Sequence, residues 1–314
     1  LSMSASTASA LSTQPAQAMG GPASSATPAE QRSGLLLGLG VHLGPAVLFC
    51  VGLSVWGTTP GVVLPMFFGF SFVNLLIVLG VERARPCVGL PAPSSRETFD
   101  GLVLVFVKGI GVGGAVVVGG WWLGSLVSPF SGATAGLLPV VLAVMATDYT
   151  YYWTHRALGH GGGRNPVVRF MRRKHQLHHS VDELDFLRGN LSSLVDTAVT
   201  GFQLPLALIV TLLGFDLGHT LAAYGLVLML QGTHHVNHTF DLGPLRWFFM
   251  DNHAHKLHHC PRGMLVNHGA MFSLWDRAHG TYFEDWTRSA NHMHAAGEAL
   301  PLDAIRRPGR ALSR

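Results

Sequence analysis

The sequence predicts an all-α integral membrane bundle of about four to six membrane helices, with a cytoplasmic, histidine-rich helical cap holding a dinuclear metal site. Three observations carry this prediction. Hydrophobic residues make up 48% of the 314 residues and charged ones only 12%, about half the charged share of soluble domains. The apolar residues gather in runs of about 20, the length that crosses the hydrocarbon core of a bilayer. Most of the 18 histidines fall in four clusters beside those runs.

Taken in order, residues 1–33 are rich in Ser, Ala, Thr and Gln without an apolar period. They are expected as a disordered tail and lack the basic-then-apolar order of a signal peptide. Residues 34–56 form a first full span and 62–81 a second, which Glu82-Arg83-Ala84-Arg85-Pro86 closes. After a polar connector with Pro91, Pro93, Ser94 and Ser95, residues 102–127 and 136–153 make a third and a fourth. A basic, histidine-rich stretch leads to a fifth at 194–213 and a sixth at 217–230. The sixth is short, which suits a tilted or re-entrant helix. The competing reading, buried core helices of a soluble protein, is opposed by several runs longer than 18 residues. A single membrane domain is expected over 34–285, with a polar C-terminal tail at 286–314.

Charge sets the orientation. With residues 1–33 in the cytoplasm, the turns at 57–61, 128–135 and 214–216 face outside, and none contains Lys or Arg. Every basic residue except Lys108 then lies in a cytoplasmic segment, the bias that orients multi-pass proteins. All four histidine clusters and both termini fall on the same side. Lys108 sits roughly 11 Å inside the third span at 1.5 Å per residue. It either snorkels toward the surface or pairs with Asp148 on the fourth helix. The three cysteines have unrelated spacings, so neither a disulfide frame nor a thiolate metal knuckle is expected. No nucleic-acid partner is expected.

The clusters carry the chemistry. Asp148, Tyr152 and His155 share one helical stripe, and the glycines at 159 and 161–163 end that helix, letting His160 approach His155. Tyr152 and Asp148 are expected to support an imidazole from behind. An aromatic interface belt with incidental histidines is the bland alternative. His175, His178 and His179 recur at i, i+3 and i+4 behind Arg169, Arg172, Arg173 and Lys174. That basic face suits anionic lipid or an acidic electron carrier. His234 and His238 form an i, i+4 pair, with His235 and Gln231 ranked as supporting residues. His255, His258 and His259 repeat the i, i+3, i+4 face, with His253 at its edge. The expected ligands are thus His155, His160, His175, His178, His179, His234, His238, His255, His258 and His259, about five for each of two ions. No further catalytic side chain is expected. Histidine-only ligation suits Fe, Zn, Cu or Ni.

The arrangement resembles the fatty acid hydroxylase superfamily, integral-membrane di-iron enzymes that include sterol desaturases, carotenoid hydroxylases and alkylglycerol monooxygenases. Asp148 through Arg156 is similar to the family's DxxxYWxHR entry. The four clusters match its HX4H, HX2HH, HX3H and HX2HH boxes. Asn267-His268-Gly269 is similar to its N-Tyr-G, and Trp275-Asp276-Arg277 with Gly280-Thr281 to its WDRxxGT ending. Asn267 and Asp276 therefore join the supporting candidates. His268, His279, Asn252 and the segment 186–190 depart from the family pattern, which leaves the substrate open.

The resemblance implies two Fe ions, O2 as co-substrate and oxidation of an unactivated C–H bond in a lipid or other hydrophobic substrate. Zn is expected as a substitute in purified samples. No His-Pro-Gly-Gly haem motif is present, so electrons are expected from a separate donor of ferredoxin or cytochrome b5 type. Hydroxylation is the main reading. A lipid or sterol desaturase, or a multi-step oxidase on the same site, is the alternative. A histidine-lined metal transporter would hold its ion near the bilayer midplane, whereas these clusters cap helix ends. A membrane metallohydrolase would turn over without O2.

Overall fold

Among the described residues of the computed structural model, four helices are long and apolar enough to cross a membrane, and each keeps one face for lipid. The structure describes residues 34–127, 136–181, 184–286 and 289–301. The expected tail at 1–33 and the turn at 128–135 lie outside these residues. The four are α1 (Gly34–Trp56), α2 (Pro60–Ala84), α3 (Ser95–Leu126) and α6 (Leu194–Leu212). Val47, Leu48, Val51 and Val55 of α1, Phe68 and Phe72 of α2, and Leu208 and Leu212 of α6 are exposed. An exposed face that is continuously apolar is the signature of contact with acyl chains. This is a membrane protein.

Local chemistry starts each element. Pro60 occupies the first turn of α2, where its missing N–H costs nothing. Ser94 and Glu97 form a reciprocal capping box at the start of α3. Asp216 caps α7 (Leu217–Gln231) by accepting the His219 N–H at 2.8 Å. Along α3 and α6 the backbones approach closely: a Cβ on Gly124 would stand 2.2 Å from the Thr211 methyl. Small residues give such helix contacts their van der Waals energy in lipid.

The expected fourth and sixth spans differ from the other four. The fourth forms α4 (Leu137–Thr154) but is absent from the membrane-length apolar set. Its second half carries Asp148, Tyr149, Thr150, Tyr151 and Tyr152, so the apolar stretch ends too early. The sixth, α7, is about 22 Å long at 1.5 Å per residue, shorter than the ~30 Å hydrocarbon core. It is buried on most sides and forms the axis of the core, where Ala222, Ala223 and Val227 meet Phe49, Val63, Val140 and Leu206.

Beyond one end of this bundle lies a cap of short helices: α5 (Pro166–Gln176), α8 (Asn252–His259), α9 (Ser273–Ala278) and α10 (Ala290–Ala295). The described residues contain no strand, only an isolated bridge between Phe249 and Phe272. Within the segment expected as a polar tail, α10 packs: Ala290, Met293 and Leu300 are buried with Leu257 and Phe283. Lys108 also finds a partner other than the one considered. Its ammonium donates to the Asn190 carbonyl, while Asp148 accepts backbone N–H groups elsewhere.

Candidate metal centre

Nine imidazoles converge beneath the cap in two adjoining groups. His155, His160, His175, His179 and His258 form one, and His178, His235, His255 and His259 the other. The two are interleaved: the second box sends His175 and His179 one way and His178 the other, and α8 likewise divides His258 from His255 and His259. His179 and His259 stack across the boundary, with ring centroids 4.4 Å apart.

Helix geometry explains how each box delivers its rings. After Thr154 the backbone widens into a π-turn, His155–Gly159, with His160 N–H donating to the His155 carbonyl at 3.1 Å. An i to i+5 turn places residues five apart one above the other, which is the spacing of this box, and the two Nε2 atoms meet at 3.0 Å. Asp251 caps α8 through the Ala254 N–H, and the regular turn that follows puts His255 and His259 on one edge. In the second box α5 ends at Gln176, and His178 and His179 continue in a 3-10 turn.

The third box departs from expectation. α7 stops at Gln231, and 232–238 is a turn, so His234 and His238 do not share a helical face. His235, expected as a supporting residue, enters the second group, with its Nε2 3.0 Å from that of His255 and 3.3 Å from that of His259. His234 stacks behind His255 at 4.7 Å, its Nε2 buried without a partner among the described residues. His238 turns away, its Nδ1–H donating to the Arg85 carbonyl at 2.8 Å. Two neighbours make the turn possible. A Cβ on Gly189 would collide with that of His235 at 2.3 Å. The buried Lys256 ammonium holds the Val236 and His238 carbonyls and Asn291.

The outward nitrogens fix the tautomers. His155 Nδ1 lies 2.7 Å from the His268 carbonyl, His258 Nδ1 2.7 Å from the Val266 carbonyl and His175 Nδ1 3.0 Å from Asp196 Oδ1. These oxygens only accept, so each Nδ1 carries the hydrogen and each Nε2 lone pair points inward. Burial, followed by neighbouring imidazoles, holds His155, His160, His179, His235, His255 and His259 well below the usual histidine range. Burial brings His258 to about 4 and His178 to about 3. Neighbouring Nε2 atoms lie 3.0–3.3 Å apart, and where both present lone pairs, as those of His155 and His175 do, they would repel each other without a cation between them. Two ligands each ~2.1 Å from a common ion, at right angles, stand about 3.0 Å apart. The donor set therefore fits divalent metal.

The supporting candidates occupy different places. Asp148 accepts the N–H groups of Ala270, Met271 and Phe272 at 2.9–3.2 Å, so it anchors a loop and does not orient an imidazole. Asp276 accepts the N–H groups of His268 and Gly269 and the Thr281 hydroxyl. Asn267, at φ 53°, a left-handed conformation that asparagine tolerates, clamps Ala254 and Phe283. Together the three fix the loop whose carbonyls orient His155 and His258. Tyr152 hydrogen-bonds Thr281 at 2.9 Å and accepts from Arg156. His253 stacks on Trp286 at 4.2 Å, away from the rings, and Gln231 lines a cavity. Asp196 is the residue that sequence reasoning missed. A carboxylate within an apolar segment was the available signal.

The cavity, about 500 Å³, reaches His175, His178, His235 and His255. Its walls come from α2 (Phe67, Phe72, Leu75), α3 (Val105, Phe106, Ile110) and the middle of α6 (Phe202). An apolar cavity walled by membrane helices and ended by imidazoles suits a hydrophobic substrate.

The comparison with known families bears on the assignment: residues 140–281, from the first turn of α4 past the last histidine box, match the family described as Fatty acid hydroxylase. These residues are a fatty acid hydroxylase domain. All nine clustered histidines, from His155 to His259, lie within it. No curated protein and no solved structure matches the chain. The family supports membrane-bound oxidation of the hydroxylase and desaturase type, and it is known for binding iron. The match ends at Thr281, the residue that closes the Asp276 network behind His155.

Proposed function

We propose that the chain is an O2-dependent hydroxylase that holds two iron ions and inserts oxygen into an unactivated C–H bond of a lipid. One observation carries this reading: two adjoining groups of inward-facing Nε2 atoms end a cavity walled by membrane helices. His155, His160, His175, His179 and His258 would hold one ion, and His178, His235, His255 and His259 the other. Iron supplies the redox capacity and O2 affinity that imidazoles lack. One oxygen atom enters the C–H bond and the other leaves as water, with two electrons and two protons supplied from outside the site.

The chain's own residues orient and seal. The His268, Val266 and Leu191 carbonyls and Asp196 keep the Nδ1 hydrogens of their histidines outward. The apolar walls exclude water and seat the chosen carbon near the rings. The exposed Arg169, Arg172 and Arg173 on α5, the helix that also carries His175, suit docking of an acidic ferredoxin or cytochrome b5. By the distribution of basic residues, this face and both termini are cytoplasmic.

Lipid mass spectrometry of cells expressing the chain under 18O2, beside cells expressing His258→Ala, tests the reading. The expected result is a lipid carrying one labelled oxygen, absent from the variant. Unlabelled product, or the same product without O2, would overturn it. A product that has only lost two hydrogens would assign desaturation.

A further inference from the structure

Two primary amides stand in the cavity wall without partners. Asn74 lies in the middle of α2 and Gln203 in the middle of α6, and both are more than nine-tenths buried. Both line the same cavity as His178 and His235. Asn74 Oδ1 and Gln203 Oε1 are covered yet hydrogen-bonded to nothing among the described residues. Four other polar groups of that wall are occupied: Lys108 and Asn190 by backbone carbonyls, Thr200 by Asp196, Ser192 by Thr197; His234 Nε2, behind the imidazole cluster, is likewise without a partner among the described residues.

The two amides come from different helices and neighbour different parts of the wall. The Asn74 side-chain nitrogen would be 3.0 Å from a Cβ on Gly232, two residues before His234. Gln203 Cγ would be 3.3 Å from a Cβ on Gly113, in the π-segment of α3. Inside hydrocarbon no solvent compensates an unpaired amide, and such groups are retained where function uses them. A primary amide offers both a donor and an acceptor, and a half-turn about its last bond exchanges them. It therefore accepts either a hydroxyl or a carbonyl.

We propose that Asn74 and Gln203 are specificity residues that bind a hydroxyl or carbonyl group borne by the lipid within the membrane, away from its reacting carbon. The substrate is then an oxygen-bearing lipid and not a plain hydrocarbon chain. This rests on the oxidative reading of the site, but recognition is measurable without turnover. Apolar walls alone discriminate weakly against an added or missing hydroxyl, whereas a wall built to hydrogen-bond one rejects the analogue that lacks it.

The test is equilibrium binding to the iron-loaded protein in nanodiscs, using two probe pairs: octadecan-7-ol against octadecane, and cholesterol against 5-cholestene. In at least one pair the oxygen-bearing member is expected to bind about tenfold more tightly, the worth of one good hydrogen bond. Asn74→Leu and Gln203→Leu, close in volume, should each remove that preference while leaving the affinity for the oxygen-free member unchanged. Equal binding within both pairs, or a preference that survives in both variants, would overturn the proposal. If a variant folds poorly, Asn74→Gln and Gln203→Asn, which keep the amide but shift its reach, should alter the preference. No effect from them would count equally against it. Oxidation without any binding preference would sink this inference alone, and preference without oxidation would sink the hydroxylase reading alone.

Discussion

His175 Nδ1 stands 3.0 Å from the carboxylate of Asp196, and both side chains are buried. The opposite nitrogen of the same ring lies 3.0 Å from His155 Nε2. The carboxylate thus sets the rotation of the ring and fixes which nitrogen faces the cluster. Asp196→Ala is expected to weaken one of the two metal equivalents about 10- to 100-fold, the usual cost of losing such a partner. Asp196→Asn, whose carbonyl still accepts from Nδ1–H, should recover part of the loss. Cobalt(II) titration followed by visible absorption reads both variants, and unchanged affinity in Asp196→Ala would remove Asp196 from this role.

The third box makes a sharper distinction. His235→Ala is expected to lose one metal equivalent and all product, because its Nε2 lies among those of His255 and His259. His238→Ala, which gives up one hydrogen bond to the Arg85 carbonyl, should keep two equivalents and most of its activity. Metal analysis of the pair checks this. The opposite ranking would restore the i, i+4 reading of that box.

Asp148 supports the site at one remove. Replacing it by alanine leaves three buried N–H groups, of Ala270, Met271 and Phe272, without an acceptor. At about 1–3 kcal/mol for each unsatisfied buried group, Asp148→Ala should lower thermal stability by at least about 3 kcal/mol. A melting curve of the detergent-purified variant, compared with the parent, tests the claim. An unchanged midpoint would contradict it.

Acid should loosen the metal-free protein. His258 and His178 are held at about 4 and about 3 in the fold, against about 6.5 in an unfolded chain. Between those values the unfolded chain binds protons that the folded one refuses, so stability rises with pH across the window. The stabilising contribution is complete above about 6.5 and is lost progressively as pH falls through the folded values. The metal-free midpoint is expected to be lower at pH 5.5 than at pH 7.5. An equal or higher midpoint would mean that these rings are not buried as neutral groups.

Much of this was readable in the residues. Runs of membrane length located the lipid-facing helices, and the i, i+3, i+4 spacing of His255, His258 and His259 placed three rings on α8. Two features escaped for identifiable reasons. The i, i+4 argument for His234 and His238 assumed that α7 continues, but it stops at Gln231 and the turn brings the His235 ring, rather than those of His234 and His238, among the clustered imidazoles. Asp196 pairs with a histidine on a separate helix, a contact that no local period encodes. The five-residue spacing of His155 and His160 became intelligible only through the π-turn.

Iron stoichiometry tests the central claim most directly. Protein purified without metal, loaded anaerobically with 57Fe(II) and then exposed to O2, is expected to retain two irons per chain and to give the Mössbauer spectrum of a magnetically coupled pair. One iron per chain, or two that are uncoupled, would contradict a site in which nine histidines hold two adjoining ions.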